Sequence, residues 1–199
     1  MNTMKVGITG GIGSGKSFVC RLLAQRGIVV YDCDSAAKRL MRTSPSLHQQ
    51  LIDLIGPEVY EPLDTHAPYH LNKKAVAEFL LASESNAHAI DAIVHPAVFS
   101  DFLQSGCQWV ESAILYESGL DRLVDRVVVV TAPLELRLQR IMDRDHISRE
   151  KALEWIGHQM PQEEVVLRAD FEIVNDGEAD LPLQIEEIID SLSQNIVLS

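Results

Sequence analysis

Gly7-Ile8-Thr9-Gly10-Gly11-Ile12-Gly13-Ser14-Gly15-Lys16-Ser17 decides how this chain is read. Residues 10–17 satisfy GxxxxGK[ST]. They follow an apolar stretch, Lys5–Thr9, and precede Val19, Leu22 and Leu23, which recur at i, i+3 and i+4 and stop at Gly27. The context is therefore strand, glycine loop, helix. Glycines permit the backbone angles that turn successive N–H groups toward one anion, and the start of the helix adds about half a positive charge there. In such a loop Gly11, Ile12, Gly13, Ser14, Gly15, Lys16, Ser17 and Phe18 are the residues expected to bind a nucleoside triphosphate. Lys16 is expected to reach the β- and γ-phosphates and the Ser17 hydroxyl to hold Mg²⁺. The competing reading, a glycine-rich turn with an exposed lysine, leaves the flanking strand and helix unexplained.

Outward from the loop, Ile28-Val29-Val30-Tyr31 is a second apolar run, closed by Asp32. Trp109–Leu115 and Val127–Val130 have the same continuous character, typical of parallel strands covered on both faces. Phe171-Glu172-Ile173-Val174, before Asn175-Asp176-Gly177, supplies a fifth strand. Helical patterns lie between the strands, so the fold class expected is α/β with a five-stranded parallel sheet. Ile185, Ile188, Ile189, Leu192 and Ile196 fall on one face of a terminal helix. Pro133 opens another, with Leu134, Leu138, Ile141 and Met142 on one side and Arg137, Arg140 and Arg144 on another. From about Leu47 to Gln104 there are helical segments around Leu51, Phe79 and Ile93, punctuated by Pro57, Pro62, Pro68 and Pro96, and no strand. This stretch reads as a helical insertion between the second and third strands.

The chain has 199 residues, 46% hydrophobic and 23% charged, enough for one sizeable core. Seventeen Lys and Arg against 29 Asp and Glu give a formal charge of −12, a poor field for a polyanion bound non-specifically, so no nucleic-acid partner is expected. Cys20, Cys33 and Cys107 have no CxxC spacing, which argues against a disulfide framework or zinc cluster and fits a reducing cytoplasm. No signal-like start and no run approaching ~18 apolar residues is present, so no membrane partner is expected. No heptad pattern predicts a coiled-coil dimer, and a monomer is the expectation.

What receives the phosphoryl group is a separate question. A GTPase would carry Asn-Lys-x-Asp, but Asn72-Lys73 continues Lys74-Ala75. Asp53-Leu54-Ile55-Gly56 matches DxxG only on a helical pattern, and a motor ATPase would close an apolar strand with an acid where Val127–Val130 ends in Thr131. A small-molecule kinase fits better. It needs a base for the accepting hydroxyl, cations for the transferring phosphoryl oxygens and a cover against water. Asp32 and Asp34 stand at a strand's carboxyl end, where α/β sheets bind ligands. Asp32 is the better base, since Asp34 precedes Ser35-Ala36-Ala37-Lys38 and reads equally as a helix N-cap. Arg137, Arg140, Arg144, Arg149 and Lys151 form a basic cover, five of the seventeen cations. Arg140 and Arg144, four apart, would clamp one polyphosphate, or the face is solvated and laced with i, i+4 ion pairs to acids such as Asp143 and Asp145.

The constellation resembles the dephospho-coenzyme A kinases, P-loop kinases related to nucleoside monophosphate kinases. The likeness spans nearly the whole chain. It is carried by residues 7–17, Asp32 and Asp34, His95-Pro96, Ala113-Ile114-Leu115-Tyr116-Glu117, Arg140-Ile141-Met142-Asp143-Arg144-Asp145, Gln159 and Asn175-Asp176-Gly177. The resemblance implies ATP-dependent phosphorylation of the ribose 3′-hydroxyl of dephospho-coenzyme A, the last step of coenzyme A synthesis. It implies a three-layer α/β/α P-loop core over residues 1–45, 107–139 and 166–199, a coenzyme-side helical insertion over about 46–106 and a helical lid over about 140–165. By the same resemblance Lys16, Asp32 and Arg140 are catalytic, Arg144 and Asn175 bind ATP, and Asp34, His95 and Glu117 bind the acceptor. Without it, His95 reads as a hydrogen-bonded helix residue, Pro96 as a helix start and Glu117 as a surface acid.

The chain departs from the family pattern twice. Phe18 stands where threonine is common, removing a hydroxyl contact to the α-phosphate but leaving the backbone N–H, and Ala113 stands where many members have proline. The other readings are a kinase for a nucleoside, nucleotide or shikimate-like alcohol, and a nucleotide-switched interaction protein.

Overall fold

Val6-Gly7-Ile8-Thr9 (β1) is buried along its whole length, with parallel neighbours on both sides: Val6 pairs with Trp109 and with Arg126, and Ile8 with Glu111 and with Val128. The computed structural model of the chain describes residues 4–61 and 67–197, so Pro62 lies outside it, as does the Ile196 side chain. The five strands are β1, β2 (Val30–Asp32), β3 (Trp109–Glu111), β4 (Arg126–Thr131) and β5 (Phe171–Val174), in the order β2-β3-β1-β4-β5. Val127–Thr131 are buried without interruption, as a four-valine run covered on both faces requires.

The chain divides into two compact units, Met1–Tyr31 with Cys107–Ser199, and Asp32–Gly106. In the first, α1 (Lys16–Gln25) and α9 (Leu181–Val197) place Val19, Leu23, Ile185, Ile188 and Leu192 against Val6, Ile8, Val128, Val130 and Ile173. The helices α6 (Leu134–Asp145), α7 (Arg149–Gly157) and α8 (Gln162–Arg168) complete it. Leu138, Ile141 and Ala152 form a second cluster, and Ile12 of the glycine loop and Trp155 pack against it.

Two strands are shorter than their apolar runs. At the end of α1, Gly27 adopts φ +80°, and the N–H groups of Gly27 and Ile28 bond back to the carbonyls of Ala24 and Leu23. This Schellman closure takes Ile28 out of the ladder, so β2 starts at Val30. β3 stops at Glu111 because the Ser112 hydroxyl accepts the Ile114 N–H at 3.3 Å and turns the chain, and Leu115 is fully buried from that turn rather than from a strand.

The second unit holds α2 (Cys33–Thr43), α3 (Pro45–Ile55), α4 (Lys73–Ala82) and α5 (Glu84–Ser105). Its extended element is one antiparallel bridge, Tyr60 to Leu71, among the described residues. Pro96 does not start a helix: it sits inside α5, whose N-cap is Ser83. Leu47, Leu51, Val59, Val98 and Phe102 are its core. The His48 ring stacks on Tyr69 at 3.8 Å and lies 4.2 Å from Tyr60, whose hydroxyl donates to the Met41 carbonyl.

Candidate active site

The loop between β1 and α1 leaves a set of N–H groups open. Gly15 is the N-cap of α1 with φ +95° and carries no side chain to cap it. A Cβ there would collide with the Asn175 amide. Among the described residues, the N–H groups of Gly13, Gly15, Lys16 and Ser17 meet no protein acceptor. The Ser14 N–H closes a turn onto the Gly11 carbonyl at 3.1 Å. Lys16 Nζ donates to the Gly10 carbonyl at 2.8 Å and lies 3.6 Å from a Glu111 carboxylate oxygen, so its ammonium is held at the loop in advance of any phosphate.

The carbonyl side of the same loop is tied down from behind. Arg137 Nε donates to the Ile12 carbonyl at 3.0 Å; Arg140 donates through Nη1 to the carbonyls of Gly13 and Ser14, both at 3.3 Å; the Asn175 amide donates to Ser14 at 2.8 Å. Arg140 Nη2 also bonds the Asn175 carbonyl and side-chain oxygen, and Gln159 accepts the Ile12 N–H at 2.7 Å. In a trans peptide the C=O and N–H point opposite ways, so fastening the Ile12 and Ser14 carbonyls on one side aims the Gly13 and Gly15 N–H groups out of the other. The result is an anion cradle at a helix N-terminus, held open by side chains from α6, the α7–α8 segment and the end of β5.

Arg137 is 5% exposed, and burial lowers its guanidinium from the ordinary value while Glu163 pulls it the other way. The rest of the basic cover behaves otherwise. Arg144 turns to its neighbour Asp145 at 2.7 Å, Arg149 to Glu135 at 2.6 Å and Lys151 to Glu154 at 2.7 Å. These are surface pairs, though none has the i, i+4 spacing anticipated, and Arg144 shares no partner with Arg140. The Arg144 contact holds the Asp145 carboxyl below its usual range.

Other expected residues have definite places. Glu117 is exposed and its carboxylate accepts the Met160 N–H at 2.9 Å, joining the turn after β3 to the segment before α8. The Phe18 N–H, expected to stay open for the α-phosphate, donates to the Gly15 carbonyl at 2.9 Å, as the first turn of α1 requires, and the ring is exposed beside Arg21. In the helical unit the N-cap of α2 is Asp32 rather than Asp34: its two oxygens accept the Ser35 N–H at 3.0 Å and hydroxyl at 2.7 Å. Asp34 sits in the first turn, where an acid suits the helix dipole. His95 lies on α5, 3.6 Å from Asp91 and stacked along Phe99.

Ser17 fits a magnesium ion carried by a nucleotide. Its exposed hydroxyl, without a protein partner among the described residues, is one hard oxygen, and magnesium takes the rest of its shell from phosphate and water. No group of three or more His, Cys, Asp or Glu among the described residues offers an all-protein cage.

β4 ends in Thr131, but β3, hydrogen-bonded to β1 on its other side, ends in an acid, Glu111. The sequence signal is the acid ending Trp109-Val110-Glu111, which gains meaning only from the strand order that sets β3 beside the loop's own strand. Gln159 and Arg137 were visible as residues, but their bonds to Ile12 span 147 and 125 positions, and no sequence spacing encodes them.

Comparison with known proteins shows what the whole chain is similar to. The family pattern described as Dephospho-CoA kinase matches residues 4–181. A dephospho-CoA kinase of Bacteroides fragilis is 43% identical over 200 residues, covering 97% of this chain and 95% of its own. Among solved structures, TT1252 from Thermus thermophilus superposes with a TM-score of 0.80 at 29% identity, covering 96% of this chain and 98% of that one. A dephospho-CoA kinase from Campylobacter jejuni follows with 0.66 at 22% identity over 96% and 98%, a likeness of fold. With the loop, the parallel sheet and these relatives in agreement, the chain belongs to the dephospho-CoA kinase family.

Proposed function

We propose that this chain performs its family's reaction, moving the γ-phosphoryl group of ATP to the ribose 3′-hydroxyl of dephospho-coenzyme A to give coenzyme A and ADP. The observation that carries this reading is the cradle: the Ile12, Gly13 and Ser14 carbonyls are fastened behind the loop by Arg137, Arg140 and Asn175, while the Gly13, Gly15, Lys16 and Ser17 N–H groups stay open. A triphosphate satisfies those donors, and Lys16 exchanges Glu111 and the Gly10 carbonyl for phosphate oxygens. Magnesium, held through Ser17, would neutralise charge on the β- and γ-phosphates.

Asp32 is the proposed base. It ends β2, a strand of the same parallel sheet, and its two bonds from Ser35 leave lone pairs for an acceptor hydroxyl. In the transfer the 3′-oxygen forms its bond to Pγ, the bond from Pγ to the β-bridging oxygen breaks, the hydroxyl proton passes to Asp32 and ADP leaves. The transition state is loose, so Asp32 chiefly orients the hydroxyl and a strong base is not required. Arg140 is assigned to the charge on the transferring group, with Arg144 swinging from Asp145 to join it when residues 140–165 close as a lid. Asp34, His95 and Glu117 are assigned to the acceptor, which the helical segment takes. No helix among the described residues is long and apolar enough to cross a membrane. A cytoplasmic monomer is the form we assign.

The test is ADP release with dephospho-coenzyme A against AMP, adenosine, shikimate and no acceptor. Turnover with dephospho-coenzyme A at least ~100-fold above the others supports the reading. Equal turnover with another alcohol moves it to a different small-molecule kinase, and ATP binding with no acceptor-dependent turnover moves it to a nucleotide switch.

A further inference from the structure

Arg137 is the most buried cation beside the loop, and among the described residues it forms no ion pair. Its Nε holds the Ile12 carbonyl, one Nη stands 3.5 Å from the Gln162 side-chain oxygen, and the other lies against Gly11, where a Cβ would strike it. An unpaired buried charge is unfavourable unless something compensates it. Around Arg137 the compensation comes from neutral oxygens, while Glu163, the acid that acts on it, is exposed on α8. Solvent screens such a charge little, so it acts on whatever occupies the cradle.

We propose that Arg137 is a nucleotide-positioning residue: it aims the Gly13 N–H by holding the Ile12 carbonyl, and its buried charge takes the nucleotide's polyphosphate as counter-ion. It touches no reacting atom. Its contribution grows with the number of phosphates on the ligand and falls on binding rather than on transfer. This rests on the reading of residues 10–17 as the ATP cradle.

The test compares wild type with Arg137→Met, Arg137→Gln and Arg137→Lys by calorimetric titration of ATP, ADP and adenosine, with steady-state kinetics and thermal melting of each. Arg137→Met and Arg137→Gln are expected to weaken ATP by roughly 10- to 100-fold, the range for losing a charge-assisted bond, and ADP by less. Adenosine affinity should stay within about twofold, KM for ATP should rise, and kcat at saturating ATP should change less than about threefold. Arg137→Lys, which keeps the charge and one donor, should recover ATP affinity to within about fivefold of wild type.

If the neutral variants melt lower yet bind ATP within twofold of wild type, Arg137 only buttresses the fold and the proposal is overturned. Equal losses for adenosine and ATP, or a fall in kcat with KM unchanged, overturn it as well. Should Arg137→Met not fold, the Gln and Lys variants decide by the same criteria. A wild-type protein that fails to bind ATP would sink the cradle itself, a result distinct from any of these.

Discussion

Gly15 shows how little freedom the cradle has. Its φ of +95° disfavours any side chain by about 1–2 kcal/mol, and a Cβ would also collide with the Asn175 amide that fixes Ser14. Gly15→Ala should therefore weaken ATP binding by more than ~10-fold, measured by titration, while the sheet's circular dichroism stays intact. The two duties proposed for Arg140 are separated by kinetics. If it stabilises the transferring group, Arg140→Ala lowers kcat by the order of ~10³. Because it also holds the Gly13 and Ser14 carbonyls, KM for ATP should rise too. Asn175→Ala, which removes the backbone latch at Ser14 and the side-chain oxygen that Arg140 Nη2 bonds at 3.3 Å, should raise KM and lower kcat far less than Arg140→Ala does. An Arg140→Ala enzyme whose kcat is untouched removes Arg140 from the transfer step. Asp32→Asn should keep ATP binding and lose turnover by roughly 10²–10⁴; retained turnover hands the role to Asp34. At this scale residues 10–17 were legible because the chemistry demands fixed spacing within eight positions. The bonds by which Arg137, Arg140 and Asn175 aim the loop were not, because they span more than a hundred residues, although the family resemblance names Arg140 and Asn175 themselves.

Elements were legible where one hydrophobic period governed them and illegible where a local hydrogen bond intervened. β4 and β5 lie where their apolar runs predict, whereas β2 loses Ile28 to the closure of α1 and β3 loses Ala113–Leu115 to the Ser112 turn. Pro96 misled because a proline marks a helix start only when nothing holds the preceding turn, and here α5 runs through it for 22 residues. Within the helical unit, burial and the neighbouring Tyr69 push the Tyr60 hydroxyl up to about 12. A pKa raised in the folded state stabilises the fold below the unfolded value near 10 and loses that contribution as pH rises toward about 12, since the unfolded chain ionises first. Tyr60→Phe should cost about 1 kcal/mol at neutral pH through the lost bond to Met41 and should flatten the alkaline fall in stability, followed by denaturant unfolding from pH 9 to 12. An unchanged alkaline slope would place the sensitivity elsewhere.

Over the whole molecule, the formal charge of −12 makes a poor field for a polyanion bound non-specifically, yet the ligands are polyanions. The resolution lies in distribution: Lys16, Arg137, Arg140 and the open N–H groups converge on one loop, while Arg144, Arg149 and Lys151 are matched by neighbouring acids. Sequence composition sets the sum, and the fold shows which cations stand at the loop. Where the phosphoryl group goes decides the proposed function. Phosphorus NMR correlated to ribose protons, on the product of ATP and dephospho-coenzyme A, tests this directly. A new phosphomonoester coupled to the 3′-proton, formed in step with ADP, is the predicted result; phosphate at another position, or ATP consumed with the acceptor unchanged, would contradict it.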